Sequence, residues 1–154
     1  MYTFKDVSIP PNVKTVKISY IENKARYVNP QLSSRLTDAL QQKISSNTKL
    51  TRTTNDDANY QISGTITTYN VSTSGITTQN GTTQTATNRL TVGVHINFVN
   101  NMPNATQNKS REFDVSRDFD FASTLTLTQA ESSLLPQIIK DVSDEIFNQI
   151  FSNW

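Results

Sequence analysis

Between Asn88 and Asn101 the stretch NRLTVGVHINFVNN places Leu90, Val92, Val94, Ile96 and Phe98 on one parity and Thr91, Gly93, His95 and Asn97 on the other. Successive side chains of a strand point to opposite faces, so this stretch is a strand with one face to be covered and one left in water. VKTVKISYIEN repeats the pattern, with Val16, Ile18 and Tyr20 against Thr15, Lys17 and Ser19, after the stiff Pro10-Pro11 pair. YQISGTITTYNV runs through Tyr60, Ile62 and Ile66, then resumes on the other parity at Tyr69 and Val71, a phase slip that predicts a β-bulge. REFDVSRDFDF sets Phe113, Val115, Phe119 and Phe121 against Glu112, Asp114, Ser116, Asp118 and Asp120, with Arg117 intruding on the apolar parity. KLTRTT is a short β-prone piece ahead of the turn-like NDDAN.

Two segments switch to helical spacing. NPQLSSRLTDALQQKISSNT offers Asn29 as N-cap and Pro30 at the first helical position, then repeats Leu32, Leu36, Ala39, Leu40 and Ile44. The last segment repeats Leu135, Ile138, Ile139, Val142, Ile146, Phe147, Ile150, Phe151 and Trp154 at three- and four-residue steps. Thr128 and Glu131 have capping-box spacing there, and Pro136 inside the pattern predicts a kink or a restart. The polar stretch STSGITTQNGTTQTAT, Ser72 to Thr87, has Ile76 as its one bulky apolar residue and reads as a long hairpin loop. The strands need cover, and the two helices supply it. The expected fold is therefore α+β: a single mixed β-sheet of four to five strands with two α-helices packed on one face, in one domain over residues 1–154. The opposite sheet face is expected to be polar, and the first strand, first helix and next strand to form a right-handed crossover.

Composition then narrows the function. Fourteen basic against thirteen acidic residues leave a net charge of +1, which gives no bulk electrostatic attraction to nucleic acid. The absence of cysteine excludes thiolate catalysis, Cys-ligated zinc, iron–sulfur clusters and disulfides. No apolar run reaches the roughly 18 to 20 residues that span a bilayer, and MYTFKDVSIPPNVK lacks the basic and apolar regions of a signal peptide. His95, the one histidine, lies on a polar strand face without a nucleophile signature and reads as a surface residue. Asp114, Asp118 and Asp120 share a strand face but lack calcium-loop or Glu-x-x-His spacing, so they read as a solvated row. Asp56-Asp57 reads as turn chemistry. Gly64, Gly75, Gly81 and Gly93 do not form a phosphate-cradling loop, and the Asn-x-Ser/Thr sequons at Asn70, Asn80, Asn104 and Asn108 follow from an Asn/Thr/Ser-rich composition. The expectation is a non-enzyme with neither metal nor cofactor.

Taken in order, YTFKDVSIPPNVKTVKI, NPQLSSRLTDALQQKI, NYQISGTITTYNVS, NRLTVGVHINFVN and DEIFNQIFSNW resemble the LptE-like lipopolysaccharide-assembly lipoproteins of Bacteroidetes type over nearly the whole chain. The resemblance implies a periplasm-facing outer-membrane lipoprotein that sits in the lumen of the LptD β-barrel, helps it assemble and contacts lipopolysaccharide. Members carry a signal peptide ending in a lipid-modified cysteine just before the segment matching Tyr2-Thr3-Phe4. Here Met1 and no cysteine stand there, so the chain is expected to be a form cut after the anchor.

If that resemblance holds, the anionic phosphates of lipopolysaccharide would be met by Lys49, Arg52, Arg89, Lys109 and Arg111, basic residues near loops, with arginine able to grip phosphate bidentately. The barrel would be met by the Ser72–Thr87 loop, with Ser74, Gly75, Ile76, Asn80 and Gly81 at its centre. A rival reading keeps the fold and makes it a periplasmic lipid or glycan carrier, which requires a cavity lined by Phe113, Phe119, Phe147 and Phe151.

Overall fold

A computed structural model describes residues 9–27, 29–79 and 82–152, with side chains undescribed at 74–79 and 82–86. The element order is β1 (Thr15–Ile18), β2 (Glu22–Asn23), α1 (Leu32–Asn47), β3 (Thr51–Arg52), β4 (Tyr60–Gln79), β5 (Thr82–Asn100), β6 (Arg111–Ala122) and α2 (Leu127–Phe151). One six-stranded mixed sheet runs β3-β1-β4-β5-β6, with β2 also on β4. β1 pairs in parallel with β3 and β4, and the long β4, β5 and β6 form an antiparallel meander.

β1 and β2 are two pieces of one line along β4, interrupted at Ser19–Ile21. The interruption shifts the parity by one residue. Tyr20, expected in the core, is 56% exposed, and Ile21 takes the core position with its amide donated to Thr37 Oγ1 of α1 at 3.0 Å. The predicted bulge on β4 lies between Ile66 and Thr68, and it returns Tyr69 to the covered face opposite Val92. Gly64 is required locally. A Cβ there would stand 2.7 Å from Ile96 Cδ1 and 2.9 Å from the His95 carbonyl.

Leu90, Val92, Val94, Ile96 and Phe98 are all buried, in one core with Leu32, Leu36, Leu40 and Ile44 of α1 and Ile138, Val142, Ile146, Phe147, Ile150 and Phe151 of α2. The helices pack on each other; α2 covers β5 and β6, and α1 covers β2 and β3. Arg117 intrudes on the apolar parity because its guanidinium reaches Asp141 of α2, at 3.9 Å. Lys43 of α1 bonds Asp144 of α2, which also accepts from Lys140 at 2.8 Å. Burial pushes the Asp144 carboxyl up, but the bonds from Lys140 and Lys43 outweigh that and hold it below its ordinary value.

Three local expectations are corrected. The capping box of α2 is Thr126 with Gln129, not Thr128 with Glu131: the Thr126 hydroxyl accepts from Gln129 N and the Gln129 side chain accepts from Thr126 N. α2 does not restart at Pro136 but runs through it as one helix, with Pro136 on its exposed side. The Ser72–Thr87 stretch is not a loop. β4 continues to Gln79 and β5 resumes at Thr82, with Gln79 opposite Thr82.

Candidate functional site

Three surfaces stand apart from the core. The first is the ribbon formed by the far ends of β4 and β5. β2 flanks β4 only as far as Ile66, and β6 flanks β5 only from Thr87, so the ribbon's two arms pair with each other alone. At about 3.3 Å per residue the arm from Thr73 to Gln79 extends about 20 Å past the sheet. It carries no charged residue. Ser74, Gly75 and Ile76 lie on this ribbon, with register shifts on either side of Gly75. Asn80 and Gly81 lie outside the described residues.

The second is the sheet face away from the helices. Its charges are matched across strands: Arg89 Nε donates to Asp120 Oδ1 at 2.9 Å, Thr91 Oγ1 donates to Asp118 Oδ1 at 2.8 Å, and His95 Nδ1 lies 2.8 Å from Asp114 Oδ1. His95 Nε2 is 3.4 Å from Glu112. Hydrogen bonds to Asp114 and then Glu112 raise the imidazole above its ordinary value, so it is a charged member of this ladder at neutral pH more often than a free histidine would be. Among the described residues no His/Cys/Asp/Glu group could hold a metal ion.

The third is the end of the molecule where β1, β4 and β6 begin and both helices finish. Four of the five basic candidates gather towards it. Lys49 lines an open pocket of about 460 Å³ between the α1 terminus and the start of β1. Lys109 and Arg111 line another of about 430 Å³ beside the α2 terminus, where Arg111 donates to the Gln149 carbonyl and sits 4.7 Å over the Phe113 ring. Arg52 is on the edge strand β3 and is held by Gln41 at 2.7 Å. Arg89 is not brought to them; it stands on the outer sheet face near the base of the ribbon, neutralised by Asp120. Lys14 is the cation the pattern missed.

A buried polar knot lies at the opposite end. Glu131 Oε2 accepts from Asn29 Nδ2 at 2.7 Å and from the Tyr69 hydroxyl at 2.5 Å, and Oε1 accepts from Tyr27 at 3.3 Å. Tyr27 stacks on Tyr69 at 5.5 Å. Burial, and secondarily the carboxylate, push the Tyr69 hydroxyl far above its ordinary value. Asn29 is not the N-cap of α1, nor Pro30 its first residue: the helix starts at Leu32 after Gln31, and Asn29 Oδ1 accepts from the Gln31 amide at 3.0 Å in the preceding turn while its Nδ2 ties that turn to α2. Of the four phenylalanines named for a carrier cavity, Phe147 and Phe151 are fully buried and pack on each other with ring centroids 4.9 Å apart.

These features define a small α+β protein whose distinctive parts are a ribbon, a polar sheet face and an end that gathers Lys14, Lys49, Lys109 and Arg111. The chain belongs to the LptE family, described as lipopolysaccharide-assembly, whose model matches residues 13–150. No curated protein is significantly similar to it. Among solved structures, a minor lipoprotein from Acinetobacter baumannii is 17% identical with a TM-score of 0.51, covering 87% of this chain and 91% of that one. The PelC dodecamer from Paraburkholderia phytofirmans gives 11% identity and a TM-score of 0.54 over 96% and 94% of the two chains. A hypothetical protein from Chlamydia trachomatis gives 9% and 0.54 over 89% and 95%. At such identities the likeness is one of fold. Among the described residues no helix is long and apolar enough to cross a membrane.

Proposed function

We propose that this protein is an outer-membrane lipopolysaccharide-assembly lipoprotein that faces the periplasm, occupies the lumen of an LptD-type β-barrel and contacts lipopolysaccharide during export. The observation that carries this reading is the uncharged β4–β5 ribbon beyond the sheet. An isolated two-stranded ribbon is marginally stable in water, so a ribbon of this length gains from a partner that covers it. A barrel interior is polar and water-filled, which suits Thr, Ser, Gln and Asn side chains and the hydrogen-bonded outer face of the sheet. The role is one of binding and assembly rather than catalysis.

Lipopolysaccharide contact is assigned first to Lys49 and Lys109, which have no ion-pair partner among the described residues, and then to Arg111 beside Lys109. Arg52, tied to Gln41, and Arg89, tied to Asp120, rank below them. The test is a pull-down of the barrel from the same organism. Deleting Ser74 to Thr85 is expected to abolish most of the capture while circular dichroism stays native, because the sheet and helices are complete without the ribbon. Single alanine changes at ribbon threonines are expected to be nearly silent. Full capture by the deletion variant would remove the ribbon from this role.

A further inference from the structure

Lys14 is an exposed residue between the buried Val13 and the start of β1, and it lines a pocket beside the C-terminal turn of α1. Its backbone is fixed from both directions: the amide donates to Asn59 Oδ1 at 2.7 Å, and the carbonyl accepts from Thr51 at 2.8 Å. The parallel pairing of β1 with β3 sets Lys49 alongside, and the two lysines line the pocket of about 460 Å³ whose apolar walls are Ile9, Pro10, Val13 and Leu50. No carboxylate lines this pocket among the described residues. Among the described residues the opposing charge is the carbonyl end of α1, worth about half an elementary charge, so the two ammonium groups give this lining a net positive charge.

A sugar would use neither the lysines nor the apolar walls, a fatty tail only the walls, and a free anion only the lysines. We infer that this pocket binds the phosphate headgroup of an amphiphile, with the phosphate between Lys14 and Lys49 and the first methylenes against Ile9, Pro10, Val13 and Leu50. Lysine suits the task because a compact ammonium meets phosphate as a point charge from either side. The inference rests on the lipopolysaccharide reading for the identity of the natural amphiphile, not for the chemistry of the site.

The test titrates monomeric dihexanoyl phosphatidic acid into the isotope-labelled protein, with dihexanoyl phosphatidylcholine and inorganic phosphate as parallel arms. Phosphatidic acid should shift the amide signals of Lys14, Leu50 and Thr51 and bind about ten-fold or more tightly than either control. Lys14→Gln with Lys49→Gln should weaken it by about ten-fold or more, and Ile9→Ser by about three-fold. Lys14→Arg with Lys49→Arg, which keeps the charge, should retain binding even if the glutamine pair lowers the melting temperature. Equal binding of inorganic phosphate would overturn the amphiphile, and equal binding of phosphatidylcholine, or indifference to the lysine changes, would overturn the site. Barrel capture is read separately through the ribbon, so a failure here leaves that result standing and a failure there leaves this one.

Discussion

Glu131 shows how much one buried side chain can be asked to do. It joins the turn before α1, strand β4 and the first turns of α2 through Asn29, Tyr69 and Tyr27. Glu131→Ala strands an amide and a hydroxyl in the interior, for which a cost of about 3 kcal/mol is expected. In a chain of this size that lowers the melting temperature by roughly 6 to 12 °C. Glu131→Gln keeps the shape and one acceptor and should cost about 1 kcal/mol. Equal melting of both variants with wild type would show the knot to be ornamental. His95 gives a second residue-level expectation. Its folded value is raised above 6.5 by Asp114 and Glu112, so its stabilisation is fully present below pH 6.5 and is lost as pH rises through the folded value. An NMR titration should place His95 above 6.5, and Asp114→Asn should bring it back towards that value.

At the scale of elements, the strands with a covered face and both helices are legible in the sequence because burial writes a period into it: Leu90 to Phe98 alternates, and Ile138 to Phe151 recurs every three or four residues. The ribbon was not legible. Its sequence carries no apolar parity, Ile76 being its one bulky apolar residue, and its glycines and serines imitate a loop. The remaining signal was the run of threonines, a residue with strand preference that alternation alone overlooks. The cationic pocket was half legible. Lys49 sits beside a visible strand end, but Lys14 joins it only through parallel pairing across the α1 crossover, which no local pattern reports. Caps, by contrast, are local. Thr126→Ala should cost α2 about 1 kcal/mol, read as a lower urea midpoint, and Thr128→Ala should cost little, because Thr126 makes the bond.

At the scale of the whole molecule the binding features are segregated. β4 runs from the cationic end, where Tyr60 pairs with Asn100, to the ribbon, where Gln79 pairs with Thr82. The two α-helices end beside the lysine pockets, and the Glu131 knot holds their beginnings at the ribbon side. If the proposed function and the proposed pocket both hold, the two partners, a polar protein wall at one end and a phosphorylated amphiphile at the other, would not compete for the same residues. Photo-crosslinkers make that division measurable. One at Thr73, exposed at the base of the ribbon, should capture the barrel and little lipopolysaccharide; one at Asn47, exposed beside the Lys49 pocket, should capture lipopolysaccharide and little barrel. Raising the ionic strength from about 0.1 M to 1 M shortens the screening length from about 10 Å to 3 Å, so it should reduce the Asn47 product strongly and the Thr73 product weakly, because the ribbon carries no charge. Identical products or identical salt responses at the two positions would mean that one surface, not two, does the binding.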